Sequence, residues 1–244
     1  MVGVQHLLET TASMVLDGLV RGIGIRPEHI FLIGKCYSTS PEIESLLRAK
    51  HINVISMKKP ERLDGYLKSC KASIKTLWSQ VRTSLNLDKI EMIICIDDGG
   101  RLTEFMPSDV CLTKKMAIIE QTRGGLYNPT LPQLLVPLIE VATCAAKRKL
   151  ESQLIANTMI NKLDDILAFY NLKKNDVYGV IGMGTVGYAI VYELSKRGYI
   201  VVVYDENEAV YSNFSNENFY RLDGIEAVFL HAKCIFGCTG KDIT

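Results

Sequence analysis

The sequence predicts an α/β protein in which helices cover parallel sheets. Short β-branched, apolar runs alternate with longer amphipathic stretches, and this alternation is typical of parallel sheets. In the first half of the chain the predicted strands lie at residues 30–33, 52–56, 92–96 and 117–120. In the second half, runs at residues 177–181 and 199–204 flank a helical stretch. With 244 residues, the chain is long enough for two domains of ordinary size.

The domain boundaries are predicted from a helical segment in the middle of the chain. Residues 131–170 carry apolar side chains at helical spacing, with Pro132 and Pro137 near the start, and predict at least one long helix. The polar residues 171–176 then end the helix. We therefore predict a first α/β domain over residues 1–150, a connecting helix over 151–174 and a second domain over 175–244.

Composition and charge exclude several classes of function. The formal net charge is +1 without an extended basic run, so nucleic acid is not an expected partner. No apolar run approaches the roughly 20 residues that span a bilayer, and the first residues lack a secretory leader, so we expect a soluble, cytoplasmic protein without a membrane partner. The seven cysteines form no Cys-x-x-Cys pair, and the four histidines stand in no ligand spacing with them. We expect reduced, buried thiols and no structural metal.

A glycine-rich turn, G-M-G-T-V-G at residues 182–187, connects a predicted strand to a predicted helix. Gly182 permits the tight turn, and Gly184 lets the backbone approach a pyrophosphate. Gly187 allows the helix to pack closely against the strand. The order of strand, G-x-G-x-x-G turn and helix is the one that a dinucleotide-binding Rossmann unit requires.

The helix start and the following strand complete the predicted cofactor site. Thr185 and Val186 begin the helix, where unbonded backbone N–H groups attract an anion. The strand at residues 199–204 is followed by Asp205, at the distance where a carboxylate accepts hydrogen bonds from the adenosine ribose. A carboxylate there also repels a 2′-phosphate. The sequence therefore predicts NAD, in preference to NADP, as the cofactor.

Five segments, including the glycine turn, stand in an order that points to one family. The other four are Tyr37-Ser38-Thr39, Ile96-Asp97-Asp98-Gly99-Gly100, Glu120-Gln121-Thr122 and Cys238-Thr239-Gly240-Lys241-Asp242. Together they resemble S-adenosylhomocysteine hydrolase (adenosylhomocysteinase) across nearly the whole chain. The resemblance implies a substrate-binding α/β domain followed by a Rossmann NAD-binding domain. It also implies transient oxidation of a ribose 3′-hydroxyl by bound NAD, so that a thioether is hydrolysed without net redox change.

The resemblance implies roles for residues outside the glycine turn. Asp98 corresponds to the family's catalytic aspartate, and His6 to a histidine at the edge of the substrate pocket. Lys147 and Glu151 correspond to the pair that handles the 3′-hydroxyl, and their i, i+4 spacing places both on one helix face. A desolvated Lys147 would serve as the base. The further cofactor contacts that the resemblance implies are Thr122, Thr239 and Gly240.

Each of these side chains also has an interpretation without any chemistry. Asp98 could be a β-turn acid exposed to solvent. Lys147 could belong to a solvated basic patch, with Glu151 as a surface ion-pair partner. His6, close to the chain start, could be a mobile surface residue. The residues alone leave these alternatives open.

The chain also departs from the family's pattern. Gln121 stands where the family has a catalytic glutamate, and Ala142 where it has an asparagine near the nicotinamide. An amide cannot transfer protons as a carboxylate does. Leu8 and Thr10 replace two polar residues that hold the adenosine. The family's last Rossmann strands and tail have no counterpart here, so we expect an incomplete Rossmann sheet that a second copy or a partner chain completes.

These observations predict an NAD-dependent protein that oxidises a hydroxyl of a nucleoside-like or sugar substrate. Its support is the presence of Asp98, Lys147 and Glu151 together with the glycine turn. One alternative is an NAD-binding module without turnover, which Gln121 and Ala142 favour. Another is one half of a split enzyme whose partner chain supplies the missing part.

Overall fold

The computed structural model describes residues 1–62, 65–113, 115–126, 136–213 and 219–239. Two compact units make up the chain, Met1–Ala142 and Thr143–Thr244. Each unit contains a parallel sheet with helices, so the predicted α/β fold class is confirmed. The division between the units precedes the predicted boundary at residue 150. The helix predicted to connect the domains packs within the second unit.

The first unit is built on a six-stranded parallel sheet. Its strands are β1 (Val2–Gln5), β2 (Phe31–Gly34), β3 (Asn53–Ser56), β4 (Ile93–Asp97), β5 (Met116–Glu120) and β6 (Leu138–Glu140). The strand order β3-β2-β1-β4-β5-β6 is that of a doubly wound Rossmann-type sheet. β1 therefore lies between β2 and β4, at the point where the order reverses.

Helices pack against this sheet and share two buried apolar clusters with its strands. They are α1 (Glu9–Ser13), which continues as a π-helical segment (Met14–Gly22), α2 (Pro41–Ala49), α3 (Tyr66–Ser84), α4 (Arg101–Glu104), α5 (Ser108–Thr113) and α6 (Arg123–Leu126). Along α3, Cys70, Ile74, Leu77 and Trp78 recur at helical spacing and are buried. They pack against buried side chains of β1, β2 and β4.

The second unit has a four-stranded parallel sheet in the order β10-β7-β8-β9. Its strands are β7 (Val177–Ile181), β8 (Ile200–Tyr204), β9 (Phe219–Arg221) and β10 (Cys234–Gly237), and its helices are α7 (Ser152–Tyr170), α8 (Thr185–Lys196) and α9 (Ile225–His231). A π-helical segment, Lys147–Glu151, leads into α7. The order is that of the first half of a Rossmann fold.

Several predicted elements differ from the observed ones. The four strands predicted in the first half correspond to β2 to β5, but β1 and β6 were not predicted. β6 falls inside the stretch 131–170, in which the sequence predicts at least one long helix. Its helix, α7, begins at Ser152. Pro132 lies outside the described residues.

Further expectations concern cysteines, metals and membranes. Cys70 and Cys95 are buried thiols, whereas the Cys144 thiol is exposed, so burial does not extend to all the cysteines. Within the described part of the chain, His, Cys, Asp and Glu side chains form no group of three that could hold a metal ion. None of the helices among the described residues has both the length and the apolar character needed to cross a membrane.

Asp97 lies at the end of β4, and its buried carboxylate binds N–H groups of α4. The side chain of Asp97 is fully buried, and its Oδ2 accepts hydrogen bonds from the Thr103 N–H at 2.8 Å and from the Thr103 hydroxyl at 2.8 Å. Its Oδ1 accepts from the Leu102 N–H at 3.2 Å. Burial raises the pKa of Asp97 to about 6, the Thr103 and Leu102 hydrogen bonds oppose the shift, and the Glu120 carboxylate adds to it. Asp97 thereby holds the loop after β4 against the sheet.

Replacing Asp97 by asparagine should change how stability depends on pH. Because the pKa in the folded state lies above the ordinary value of 3.8, this group stabilises the fold most below that value, and the contribution is lost as the pH rises through about 6. We expect the free energy of unfolding of the wild type, minus that of Asp97→Asn, to fall across this interval. Urea unfolding on both sides of it measures the difference. Glu91→Gln, at an exposed carboxylate, is the control, and a pH-independent difference for Asp97→Asn would contradict the prediction.

Candidate functional site

The glycine turn of the second unit joins β7 to α8, as predicted. Gly182 has a φ of +95°, and a Cβ there would lie 2.8 Å from the backbone of Cys238 and Thr239. A Cβ on Gly187 would lie 1.9 Å from the carbonyl oxygen of Gly182. The fold itself therefore requires glycine at these two positions.

Gly184 differs from the other two glycines of the turn. Its φ of −66° and ψ of −172° are extended values that any residue adopts. A Cβ at this position would meet no atom of the described residues within 4 Å, its chain neighbours aside. The chain needs no glycine here for its own packing, whereas a ligand that approaches the backbone does need one. The space above Gly184, at the start of α8, thus fits a pyrophosphate.

Asp205 follows β8 and faces the turn. Its Oδ2 accepts a hydrogen bond from the Met183 N–H at 2.6 Å, and its Oδ1 accepts one from the Asn207 N–H at 2.8 Å. A carboxylate has about four acceptor positions, so capacity remains for ribose hydroxyls. The Asp205 N–H donates to the Tyr211 hydroxyl at 2.6 Å. These bonds fix the carboxylate beside the glycine turn, where the sequence predicts it.

A cavity of about 390 Å³ lies beside the start of α8. Thr185 and Tyr188 line it from α8, and Arg148 and Lys149 line it from the segment before α7. The two basic side chains therefore stand next to a helix N-terminus, and both features favour an anionic ligand.

The remaining predicted cofactor residues have mixed positions. Val186 packs against the core of the second unit, so its side chain has a structural role. Thr239 follows β10, and its backbone lies against Gly182. Gly240 lies outside the described residues. The residues that fit NAD are therefore Gly184, Thr185 and Asp205, together with the backbone that surrounds them.

In the first unit, three side chains meet where β1, β2 and β4 end. The Lys35 Nζ lies 2.7 Å from Asp98 Oδ1 and 3.2 Å from His6 Nε2. His6 Nε2 is also 3.4 Å from Asp98 Oδ2. The Thr11 hydroxyl donates to the His6 carbonyl and fixes the backbone there. We call His6, Lys35 and Asp98 the strand-end cluster.

The strand-end cluster is largely shielded from solvent. The side chain of Lys35 is 6% exposed, that of Asp98 15% and that of His6 37%. Burial lowers the pKa of His6, the Lys35 ammonium lowers it further, and Asp98 opposes both. The alternatives of an exposed turn acid at Asp98 and a mobile His6 do not match these contacts.

The buried carboxylate of Glu120, at the end of β5, holds the loop that carries Asp98. Its oxygens accept hydrogen bonds from the N–H groups of Gly99 at 3.1 Å and Gly100 at 3.0 Å. They also accept from the Thr122 N–H at 2.8 Å and the Thr122 hydroxyl at 2.7 Å. Thr122 is thus engaged within the first unit, and its contact with a cofactor stays a prediction.

Lys147 and Glu151 are brought together as the i, i+4 spacing predicts. Lys147 Nζ lies 3.0 Å from Glu151 Oε2, with 31% and 46% of the two side chains exposed. The desolvation expected for a basic Lys147 is not present here. Their catalytic roles stay predictions.

The sequence analysis missed Lys35 and Glu120 as members of the first unit's candidate site. Lysine is rarely buried unless it is paired. Its pairing with Asp98 spans 63 positions in the chain, so no local pattern signals it. Glu120 lies at the end of a predicted strand, and that position was the one available signal.

Comparison with known proteins bears mainly on the second unit. Residues 177–242 match the NAD binding domain of 6-phosphogluconate dehydrogenase. The matched stretch contains β7, the glycine turn and Asp205.

Two curated relatives cover most of the chain. They are uncharacterized proteins of Mycobacterium tuberculosis strains CDC 1551 / Oshkosh and ATCC 25618 / H37Rv. Each is 28% identical over 210 residues, which represent 84% of this chain and 40% of the relative. The chain therefore spans about two fifths of the length of the curated relatives it matches.

Solved structures of dehydrogenases show a weak likeness. The apo-structure of D-lactate dehydrogenase from Escherichia coli is 13% identical, with a TM-score of 0.44 over 98% of this chain and 65% of that one. A structure of D-2-hydroxyisocaproate dehydrogenase is 10% identical, with a TM-score of 0.43 over 98% and 62%. Structural similarity at this level does not indicate an activity for this chain. The family match, in contrast, confirms the prediction that the second unit is a Rossmann domain of the NAD-binding class.

Proposed function

We propose that this chain binds NAD in its second unit and acts as an NAD-dependent oxidoreductase on a hydroxyl group of a nucleoside-like or sugar substrate. The observation that carries the proposal is the open space over Gly184, beside the start of α8 and the carboxylate of Asp205. Of the three glycines in the turn, only Gly184 has no role in the packing of the chain itself. A bound pyrophosphate explains why this position is occupied by glycine.

In this proposal NAD supplies the hydride acceptor, and the protein supplies binding and proton transfer. The N–H groups at the start of α8 bind the pyrophosphate, and Asp205 accepts hydrogen bonds from the adenosine ribose. Lys147, whose Nζ lies 3.0 Å from Glu151 Oε2, is the proposed base for the substrate hydroxyl, on the condition that bound substrate excludes water from it. The resemblance to adenosylhomocysteinase supports a nucleoside as the substrate class.

A second candidate is an NAD-binding module without turnover. It is favoured by the partly exposed ion pair of Lys147 and Glu151, because a lysine base needs a site that excludes water. Gln121 in place of a catalytic glutamate favours it too. The two candidates share NAD binding and differ in whether reduced cofactor is produced.

Gly184→Val should weaken NAD binding and leave the fold intact. The new side chain enters open space at an extended backbone position, so we expect a change in unfolding free energy within about 0.5 kcal/mol. The same side chain obstructs the pyrophosphate, so we expect the Kd for NAD to rise at least about tenfold, which corresponds to roughly 1.4 kcal/mol. Isothermal titration calorimetry and thermal unfolding measure the two effects.

Two variants act as controls for Gly184→Val. Gly18→Val also adds a side chain to open space, but in the first unit, and should leave the Kd for NAD unchanged. Gly187→Ala should instead destabilise the fold, because its Cβ would collide with the Gly182 carbonyl. Undiminished NAD binding by Gly184→Val would refute the assignment of the site.

Asp205→Asn should weaken NAD binding and reduce the preference for NAD over NADP. The carboxylate makes charge-assisted hydrogen bonds, which are worth about 1.5–3 kcal/mol, so we expect a loss of about tenfold or more in NAD affinity. Removing the negative charge also removes its repulsion of a 2′-phosphate. The ratio of the two dissociation constants, measured by calorimetry, should therefore move towards NADP. Glu206→Gln, at the exposed neighbouring carboxylate, should leave this ratio unchanged. An equal change in Glu206→Gln would mean that the effect comes from the net charge of the protein and not from the Asp205 site.

A single-turnover experiment separates the oxidoreductase from the binding module. The purified chain is mixed with NAD and adenosine, and the fluorescence of reduced nicotinamide is followed. An oxidoreductase of the proposed kind gives a signal that Lys147→Ala abolishes and Lys162→Ala, at an exposed lysine of α7, retains. NAD binding without any signal, for adenosine and for a panel of nucleosides and sugars, would overturn the proposal of an oxidoreductase and favour that of a binding module.

A further inference from the structure

Lys35 is a buried lysine that the proposed oxidation does not use. It directly follows β2, and its backbone N–H donates to the Gln5 carbonyl of β1 at 3.0 Å. The chain therefore holds its backbone rigidly between the ends of two paired strands. With only 6% of its side chain exposed, Lys35 needs partners that compensate for the lost hydration.

Its partners are the other two members of the strand-end cluster. The two carboxylate oxygens of Asp98 are divided between them, since Oδ1 lies 2.7 Å from Lys35 Nζ and Oδ2 lies 3.4 Å from His6 Nε2. Lys35 Nζ itself lies 3.2 Å from His6 Nε2. The cluster lies where the strand order reverses between β1 and β4, which is the position at which open α/β sheets bind ligands.

These contacts bear on which nitrogen of His6 carries the proton. Asp98 Oδ2, 3.4 Å from Nε2, favours a proton there, whereas the Lys35 ammonium, which has three donors and no acceptor, favours Nε2 as an acceptor at the shorter distance of 3.2 Å. The proton of the neutral ring then resides on Nδ1, which lies within hydrogen-bond distance of the Ser38 hydroxyl. A proton on Nε2 would face the ammonium directly.

We propose that Lys35 is a positioning residue of an acid–base centre in the first unit, which binds Asp98 Oδ1 and orients His6 so that its ring proton lies on Nδ1. His6 then enters a reaction as a proton acceptor at Nε2, where the incoming proton replaces the hydrogen bond from Lys35. When Nε2 takes a proton, Oδ2 of Asp98 is placed to accept it in a hydrogen bond while Oδ1 keeps Lys35. The proposal rests on the proposed function only for the reaction that His6 would serve.

The charged and titratable groups that face His6 are few. Lys35 and Asp98 come from the ends of β2 and β4, and the Tyr37 ring packs edge-on against the imidazole at 5.7 Å. Removing the charge of Lys35 leaves the Asp98 carboxylate as the main electrostatic influence on His6. The lysine and the carboxylate act in opposite directions, so the effect of each on the imidazole can be separated.

The test is a titration of His6 by NMR in the full chain without cofactor, with the His6 resonance assigned through His6→Asn. In the wild type we expect ring ¹⁵N shifts of an Nδ1–H tautomer and a midpoint below the ordinary value for histidine. In Lys35→Met the midpoint should rise by roughly one unit or more, because Asp98 then stabilises the imidazolium. Lys35→Arg, which keeps the charge, should retain the low midpoint.

Further measurements keep the test decisive if Lys35→Met does not fold. Lys35→Gln fills the same space without the charge and should show the same upward shift, whereas Lys75→Met, at an exposed lysine of α3, should show none. An Nε2–H tautomer in the wild type would overturn the proposal without any variant. So would an unchanged His6 midpoint in a folded Lys35→Met or Lys35→Gln. Neither result depends on NAD, so failure here is distinct from failure of the proposed function.

Discussion

The placement of β1 between β2 and β4 is the constraint on which the first unit depends. All four residues of β1 are buried, and Val2 pairs with Phe31 on one side and with Cys95 on the other. Because the three strands are parallel, the residues that follow their carboxyl ends meet at one edge of the sheet. His6, Lys35 and Asp98 are such residues, although they are far apart in the chain. Their contact is a consequence of strand order.

In the second unit, residues at the carboxyl ends of parallel strands also meet at one edge of the sheet, but they are of different types. β7 lies between β8 and β10, so the glycine turn, Asp205 and Cys238 meet at the corresponding edge. In each unit a carboxylate binds backbone N–H groups of the loop that carries the candidate site. Glu120 does so for the Asp98 loop, and Asp205 does so for the glycine turn. Both loops are therefore held by charge-assisted hydrogen bonds as well as by packing.

Features with a local signal could be predicted from the sequence. The glycine turn requires particular residues at fixed spacing, and the following β-branched run places Asp205, so this part of the site matched. β1 was not predicted because its two valines alternate with Gly3 and Gln5, so this strand lacks the continuous apolar run that predicted β2. β6 was not predicted because it lies in a stretch with helical periodicity. The strand-end cluster was predicted only in part, because Lys35 has no local pattern that distinguishes it from a surface lysine.

The bond between Asp205 and the Met183 N–H affects how a dinucleotide would be received. The turn is held by the chain's own atoms, since the Met183 N–H donates to Asp205 and Gly182 has a left-handed backbone conformation. The conformational entropy of ordering the turn is therefore lost during folding and need not be lost again on association. Binding at this turn should behave as docking to a rigid surface, in which the dissociation rate, more than the association rate, changes when a side chain at the site is altered.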